Sequence, residues 1–363
     1  MEAARLLSDA DSEPGRHVRS ALAAQCPLSK QGIDRALRNH LEVNPSPHDL
    51  EKLIRAAGDA THVHVVLSGN VFVGALRAIA IAVAAAPRVT VRMSRRESVF
   101  SKALLRAVSD PGVVDSVSFL SDPDREKLFD WRGCEVHLYG RDATIEQISA
   151  TLSATVRVRP HGSGLGIAVV GVSAEVGEAA DAIAQSVIPF DQRGCLSPRV
   201  VLVEGGEGRC EAVAMAISES LKCWERRVPI GNVSCEERGD IIRYRDTCHV
   251  AGRLFEAGSG CVGMTLETLW VAPVGRCIHV VSCEKDRVEA MLAPLQSAVT
   301  AVGIAGDDGD MLVRAVCSAL PLARHSAAEQ MQKPPLDGPV DRRTCGLWEP
   351  AEVVRHFARG MAG

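Results

Sequence analysis

From residue 61 onward the chain switches repeatedly between two hydrophobic periods, and this alternation restricts its possible folds more than any other feature. Residues 61–67 (THVHVVL), 88–93 (RVTVRM), 114–120, 134–139, 155–159 and 166–172 are short, β-branched runs that predict strands. Between them, residues 73–86, 98–108 and 143–152 carry apolar side chains at helical spacing. Repeated strand–helix units of this length predict a mainly parallel sheet with helices on both faces. Such sheets bind ligands at the carboxyl ends of their strands, which singles out the loops that start at Ser68, Met93 and Gly140.

The rest of the chain divides around this core. Residues 1–60 read as amphipathic helices, with Ile33, Leu37 and Leu41 four apart and a second helix following the breaker NPSP. A second α/β unit begins near Ser173, with a helix over 176–185, a loop carrying Cys195, a strand over 199–204 and a helix over 212–223. Beyond it lie a strand over 278–281 and a helix over 288–299, and from Ala327 the proline- and glycine-bearing run EQMQKPPLDGPVDRR predicts an irregular segment. The expected divisions are therefore 1–60, 61–172, 173–325 and 326–363.

Bulk properties exclude several classes. With 46% hydrophobic and 24% charged residues, a sizeable core can form without help from a membrane. A net charge of −4 gives no electrostatic case for a nucleic-acid partner. The apolar run 78–87 is flanked by Arg77 and Arg88, too short for a membrane span. The N-terminus mixes acidic and basic residues and lacks the apolar stretch of a secretory signal, so a cytoplasmic location is expected. The 12 cysteines include no CxxC pair and read as small buried apolar residues in a reducing compartment. Cys277, His279 and Cys283 share one strand-like run, but no fourth ligand has suitable spacing, so no metal is expected.

Cys195 is the strongest chemical candidate. It stands in PFDQRGCLSPRVVLVE, between a helix and a strand, on a loop tightened by Gly194 and Pro198. A cysteine there can present its sulfur and its own backbone N–H to one bound carbonyl, so that the N–H stabilises the oxyanion formed on thiolate attack. Arg193 and Arg199 lie near enough in sequence to lower the thiol pKa. A loop cysteine considered alone is more often inert.

This string closely resembles the nucleophile segment of the LuxC-type acyl-CoA reductases, which belong to the aldehyde dehydrogenase superfamily. Asp191, Gln192, Gly194, Cys195, Ser197 and Pro198 fit the family pattern. Three further segments fit in order. LSGNVFVGALRAIAIAVAAAPRVTVRMSRRES matches a strand–Asn–helix–strand–basic pattern, HLYGRDATIEQI a glycine-containing turn and helix beneath the cofactor, and EQMQKPPLDGPVDRR the closing segment. The resemblance runs from about residue 60 to 345 and is weakest over 223–271. It implies an aldehyde dehydrogenase-like α/β fold: two Rossmann-like doubly wound domains with the active site in the cleft between them. Residues 61–172 would then bind the cofactor, 173–325 would carry the nucleophile, and 326–363 would return over the site.

The resemblance also implies roles. Cys195 would be the acyl-accepting nucleophile and Asn70 the amide that completes the oxyanion hole. Gly140, Asp142 and Thr144 would lie beneath the cofactor. At Arg92 the superfamily typically has a lysine that reaches the adenosine ribose. Here Arg92, Ser94, Arg95 and Arg96 form a cradle suited to a 2′-phosphate, which favours NADPH; the plainer alternative is a solvated basic helix start. The run HGSGLG at 161–166 fails as a dinucleotide loop, because its spacing is GxGxG and a strand follows it. By the same resemblance this stretch sits where hydrolytic relatives carry a water-activating glutamate, and no Glu or Asp lies between Arg157 and Ser173. His161 could substitute as a base, although a solvated loop histidine is the simpler reading.

The expected activity is NADPH-dependent reduction of an acyl-CoA, or another acyl thioester, to an aldehyde through a cysteinyl thioester. Two rivals stand beside it: an NAD(P)-dependent aldehyde dehydrogenase acting on a free aldehyde, and a non-catalytic dinucleotide-binding or scaffold protein of the same fold. The superfamily usually forms dimers or tetramers, so a homo-oligomer is a further expectation.

Overall fold

A computed structural model describes residues 1–120, 134–307 and 309–340. The chain forms two compact units. The first comprises Met1–Cys26, Ile33–Ser163 and a returning segment from Pro335, and the second comprises Pro27–Gly32 and Gly164–Pro334. The strand that starts at Leu165 hydrogen-bonds into the sheet of the second unit.

In the first unit the helices α1 (Glu2–Ser8), α2 (Glu13–Gln25), α3 (Lys30–Asn39) and α4 (Pro47–Ala57) lead into β1 (His62–Val66). The NPSP breaker is in fact the start of α4: Ser46 and Asp49 exchange bonds in a capping box, with Pro47 at the first helical position. Next come α5 (Gly74–Ala85), β2 (Val89–Arg92), α6 (Val99–Arg106), α7 (Pro111–Ser116), β3 (Val117–Phe119), β4 (Cys134–Tyr139), α8 (Asp142–Ser149) and β5 (Arg157–His161). The strand expected over 114–120 shrinks to three residues. The Asp110 carboxylate accepts the Val113 N–H, and Pro111 favours a helical start, so this cap draws residues 111–116 into a helix.

The sheet of this unit has the order β3-β2-β1-β4-β5 and is parallel throughout. One face buries Val136, Leu138 and Ile145 of α8. Helix α5 is apolar apart from Arg77, whose buried guanidinium holds the returning segment. It donates to the carbonyls of Gly338 (2.6 Å) and Pro335 (2.7 Å), and pairs with Glu42 and, at 3.7 Å, with Asp337. The packing of α2 against α6, and of α4 against α5, makes the N-terminal helices part of this unit.

The second unit contains β6 (Leu165–Val170), α9 (Val176–Val187), β7 (Pro198–Val203), α10 (Glu207–Arg227), α11 (Cys235–Ala251), β8 (Arg253–Ala257), β9 (Gly260–Thr265), β10 (Cys277–Ser282), α12 (Val288–Leu292), β11 (Val299–Ala305), α13 (Met311–Ala319) and β12 (Arg324–Ala327). Its sheet order is β12-β11-β6-β7-β10-β9-β8, parallel except for the β8–β9 pair. Alternate residues of β6 feed opposite cores. Ala168 and Val170 pack with α9 and α10, and Ile167 and Val169 with the α12–α13 side, so the sheet is covered on both faces. The helix expected over 288–299 stops at Leu292. Pro294 cannot continue it, and the β-branched run from Val299 enters the sheet as β11. Among the described residues no helix is long and apolar enough to cross a membrane.

Candidate active site

Cys195 lies on the loop between α9 and β7, half-buried in a turn closed by the Ser197 N–H on the Gly194 carbonyl (3.1 Å). The backbone leading into this loop is unusual. Phe190, Asp191 and Gln192 have φ values of 56°, 49° and 65° in succession. The left-handed region costs an L-residue about 1–2 kcal/mol, so three consecutive residues persist only where the surroundings hold them.

Those surroundings are polar and buried. The Asp191 carboxylate meets Arg276 at 2.7 Å and accepts the Gly231 N–H at 3.0 Å. Arg276, 1% exposed, also donates to the Val228 carbonyl. The Gln192 amide behaves as an extra rung of β10. Its Nε2 donates to the carbonyls of Pro198 (2.8 Å) and Cys277 (2.5 Å), and its Oε1 accepts the Cys277 N–H (2.9 Å). On the far side of Cys195, Gln332 donates to the Ser197 hydroxyl at 2.8 Å, and the Thr300 hydroxyl donates to the Cys195 carbonyl. Gly166 allows the loop to lie directly on β6, because a Cβ there would stand 2.6 Å from the Leu196 carbonyl oxygen. The Asp-Gln pair is thus the brace of the Cys195 loop. Arg276 and Thr300 complete it from distant segments that carry no local motif, and Gln332 from the EQMQK run of the closing segment.

The two arginines near Cys195 in sequence are engaged elsewhere. Arg193 pairs with Glu237 (2.7 Å) and Asp191 (3.3 Å), and its hydrogen bond to Glu237 holds that carboxyl down at about 2. Arg199 donates to the Ala272 carbonyl. With these bonds, their expected role in activating the thiol loses its support.

In the first unit, strand order reverses between β1 and β4: β2 and β3 extend to one side of β1, and β5 lies beyond β4. A reversal of this kind opens a crevice at the carboxyl ends of the strands. The strand ends and loops after β1, β2 and β4 lie there: Asn70 follows β1, Arg92 ends β2 with Ser94 to Arg96 after it, and Gly140 follows β4 and leads into Asp142 and Thr144 at the start of α8. Asn70, Arg95 and Arg96 are exposed, and Arg92 and Ser94 are half-buried. Gly69 brings the first two loops together, since a Cβ there would lie 2.7 Å from Ser94 Oγ and 3.1 Å from Arg96 Cβ. The Ser94 hydroxyl in turn accepts the Arg96 N–H at 3.2 Å. Space over Gly140 is open, with nothing within 4 Å of a Cβ built there. Asp142, in the first turn of α8, accepts the Ser163 N–H at 2.8 Å and so anchors the end of the unit, while the Thr144 side chain is exposed. The rim thus presents a glycine with open space above it, the start of α8 and the exposed Arg95 and Arg96.

Other candidates resolve differently. His161 is not a solvated loop residue. It ends β5, stacks on Tyr139 at 4.3 Å, and burial together with His137 and Arg159 pushes its pKa down to about 3. The ring nitrogens of His279 face the Tyr244 hydroxyl (3.0 Å) and the Thr265 hydroxyl (2.9 Å), so the imidazole is held inside the core. Among the described residues no group of three His, Cys, Asp or Glu side chains could hold a metal. Glu204 accepts the Val172 N–H at 3.1 Å, which gives the carboxylate a place between two strand ends.

The chain matches the family described as acyl-CoA reductase (LuxC) over residues 11–315. The match takes in the helices α2 to α4 and the segment 223–271, where the motif resemblance is faint, and it stops before the C-terminal segment. No curated protein matches the chain. Among solved structures, a proline utilization A mutant from Bradyrhizobium japonicum superposes with a TM-score of 0.67 at 15% identity, over 94% of this chain and 41% of that one. The NADP-dependent glyceraldehyde-3-phosphate dehydrogenase of Bacillus halodurans, solved with NADP, gives 0.62 at 14% identity over 90% of this chain and 76% of that one. An aldehyde dehydrogenase C mutant of Pseudomonas syringae, solved with NAD+ and octanal, gives 0.62 at 12% identity over 89% and 75%. This chain therefore spans about two-fifths of the first of these proteins and about three-quarters of the other two. At such identities the likeness is one of fold, and the fold is that of the aldehyde dehydrogenases. With the family match covering most of its length, the chain belongs to the acyl-CoA reductase (LuxC) family.

Proposed function

We propose that this protein reduces an acyl thioester, with acyl-CoA as the substrate class, to the aldehyde, using Cys195 as nucleophile and NADPH as reductant. The observation that carries this reading is the braced loop. A half-buried thiol in a family-matching segment sits on backbone held by Asp191, Gln192, Thr300 and Gln332. Burying that much polar structure is costly unless each group is hydrogen-bonded, and the bonds that satisfy these groups also fix the loop accurately.

In the proposed reaction the Cys195 thiolate adds to the thioester carbonyl. The Cys195 N–H and the Asn70 amide hold the oxyanion, and the tetrahedral species collapses to a Cys195 thioester with loss of the CoA thiolate. Arg92, Ser94, Arg95, Arg96 and Gly140 would hold NADPH, which when bound would supply the hydride that takes this thioester to the aldehyde level. The lack of a carboxylate between Arg157 and Ser173, and the low pKa of buried His161, leave that stretch without a base for water. This favours release as aldehyde over hydrolysis to acid.

The test is acyl-CoA-dependent NADPH oxidation measured across chain lengths, with the products identified. Aldehyde and CoA in equal amounts support the proposal, and replacement Cys195→Ala should abolish turnover while NADPH binding persists. Turnover by the alanine variant at the wild-type rate would exclude Cys195 as nucleophile.

A further inference from the structure

Thr300 occupies an irregularity in the second sheet. The β11–β6 register pairs Val299 with Leu165 and then Ala301 with Gly166, so Thr300 is the extra residue of a bulge. Bulges re-aim the side chain they carry and are frequent beside active sites. Here the hydroxyl, 3% exposed as a residue, is directed at the Cys195 carbonyl and also lies 3.3 Å from the Leu165 carbonyl. A hydroxyl has one proton to donate, and the contact to Cys195 is the closer. The adjacent β6–β7 ladder shifts register between Gly166 and Ile167, opposite the other end of the same loop. The loop therefore rests between two bulges, and from one of them a side chain reaches the nucleophile residue itself. A Cβ on Gly164 would collide with the Thr300 side chain, so the glycine leaves the room that the threonine occupies.

We infer that Thr300 is a positioning residue for Cys195. By holding the Cys195 carbonyl it sets the peptide plane after the nucleophile, and with it the direction of the thiol. The inference rests on the proposed role of Cys195 as acyl acceptor.

The experiment compares wild type with Thr300→Val, which keeps the shape and removes the donor, and Thr300→Ser, which keeps the donor. The readouts are single-turnover release of CoA from an acyl-CoA and the pH–rate profile of Cys195 alkylation by iodoacetamide, with NADPH affinity confirming that each variant is folded. The expected result is a loss of about 10- to 100-fold in the CoA-release rate for valine, with little change in acyl-CoA KM and most of the rate retained in serine. An unchanged rate in valine, or equal losses in valine and serine, would overturn the inference. If wild type releases no CoA, the proposed function fails, and Thr300 is then judged by alkylation alone: a valine profile identical to wild type overturns its role, and a shifted one sustains it. Should valine not fold, Thr300→Cys, near in size with a weak donor, takes its place under the same criteria.

Discussion

Asp191 and Arg276 meet at 2.7 Å in the interior, 85 residues apart, and their ion pair fixes the left-handed turn that precedes Cys195. Removing one member of such a pair leaves an unpaired buried charge, which typically costs about 3–5 kcal/mol. Asp191→Ala should lower the unfolding free energy by about this amount in urea titrations. A loss below about 1 kcal/mol would show that the pair does not hold the turn.

Gln192 tests the same brace without charge. Gln192→Leu keeps the bulk but leaves the Cys277 N–H and the Pro198 carbonyl without their partner, a cost of about 1–3 kcal/mol. Hydrogen exchange read at the Cys277 amide should show reduced protection. If that amide exchanges as slowly as in wild type, the side chain is not its partner in solution.

Glu237 predicts an acid limb of stability. Its hydrogen bond to Arg193 lowers its pKa to about 2 against the pull of burial, so its folded pKa lies below that of the unfolded chain. The stabilisation is then fully present above about pH 5 and is lost as pH falls through the folded pKa near 2. Glu237→Gln should be less stable than wild type near neutrality, with the two melting curves converging toward pH 2. A constant difference across that window would place the stabilisation elsewhere.

Arg95 and Arg96 decide cofactor choice if the basic rim holds a 2′-phosphate. The double replacement by alanine should raise the NADPH KM about 10- to 100-fold while changing that for NADH by less than about 3-fold, since only the former loses charge-assisted bonds. Equal effects on both cofactors would show that the arginines contact something common to the two.

Much of this was legible from the residues alone. Periodicity located most strands of the first sheet and β6 of the second, because parallel strands buried on both faces are written as runs such as HVHVV and LGIAVV. The string DQRGCLSP marked the Cys195 loop as a tight, special turn, because the left-handed backbone and its close approach to β6 demand residue types that can be read locally. Boundaries failed where a cap or a proline outweighed hydrophobic pattern, at Asp110 and at Pro294.

What no local reading supplied is how the nucleophile is held. Arg276, Thr300 and Gln332 are 81, 105 and 137 positions from Cys195 in sequence, and although Gln332 stands in the closing segment, nothing local ties any of the three to the Cys195 loop. Sheet order places them there: β7 lies between β6 and β10, and β11 lies beyond β6, so strands distant in the chain flank one loop. Likewise Arg193 and Arg199 are near Cys195 in the chain yet spend their hydrogen bonds on Glu237 and Ala272. Sequence determined which residue types stand near Cys195 in the chain; tertiary structure decided which of them bond to its loop, because hydrogen bonds are settled by distance in space.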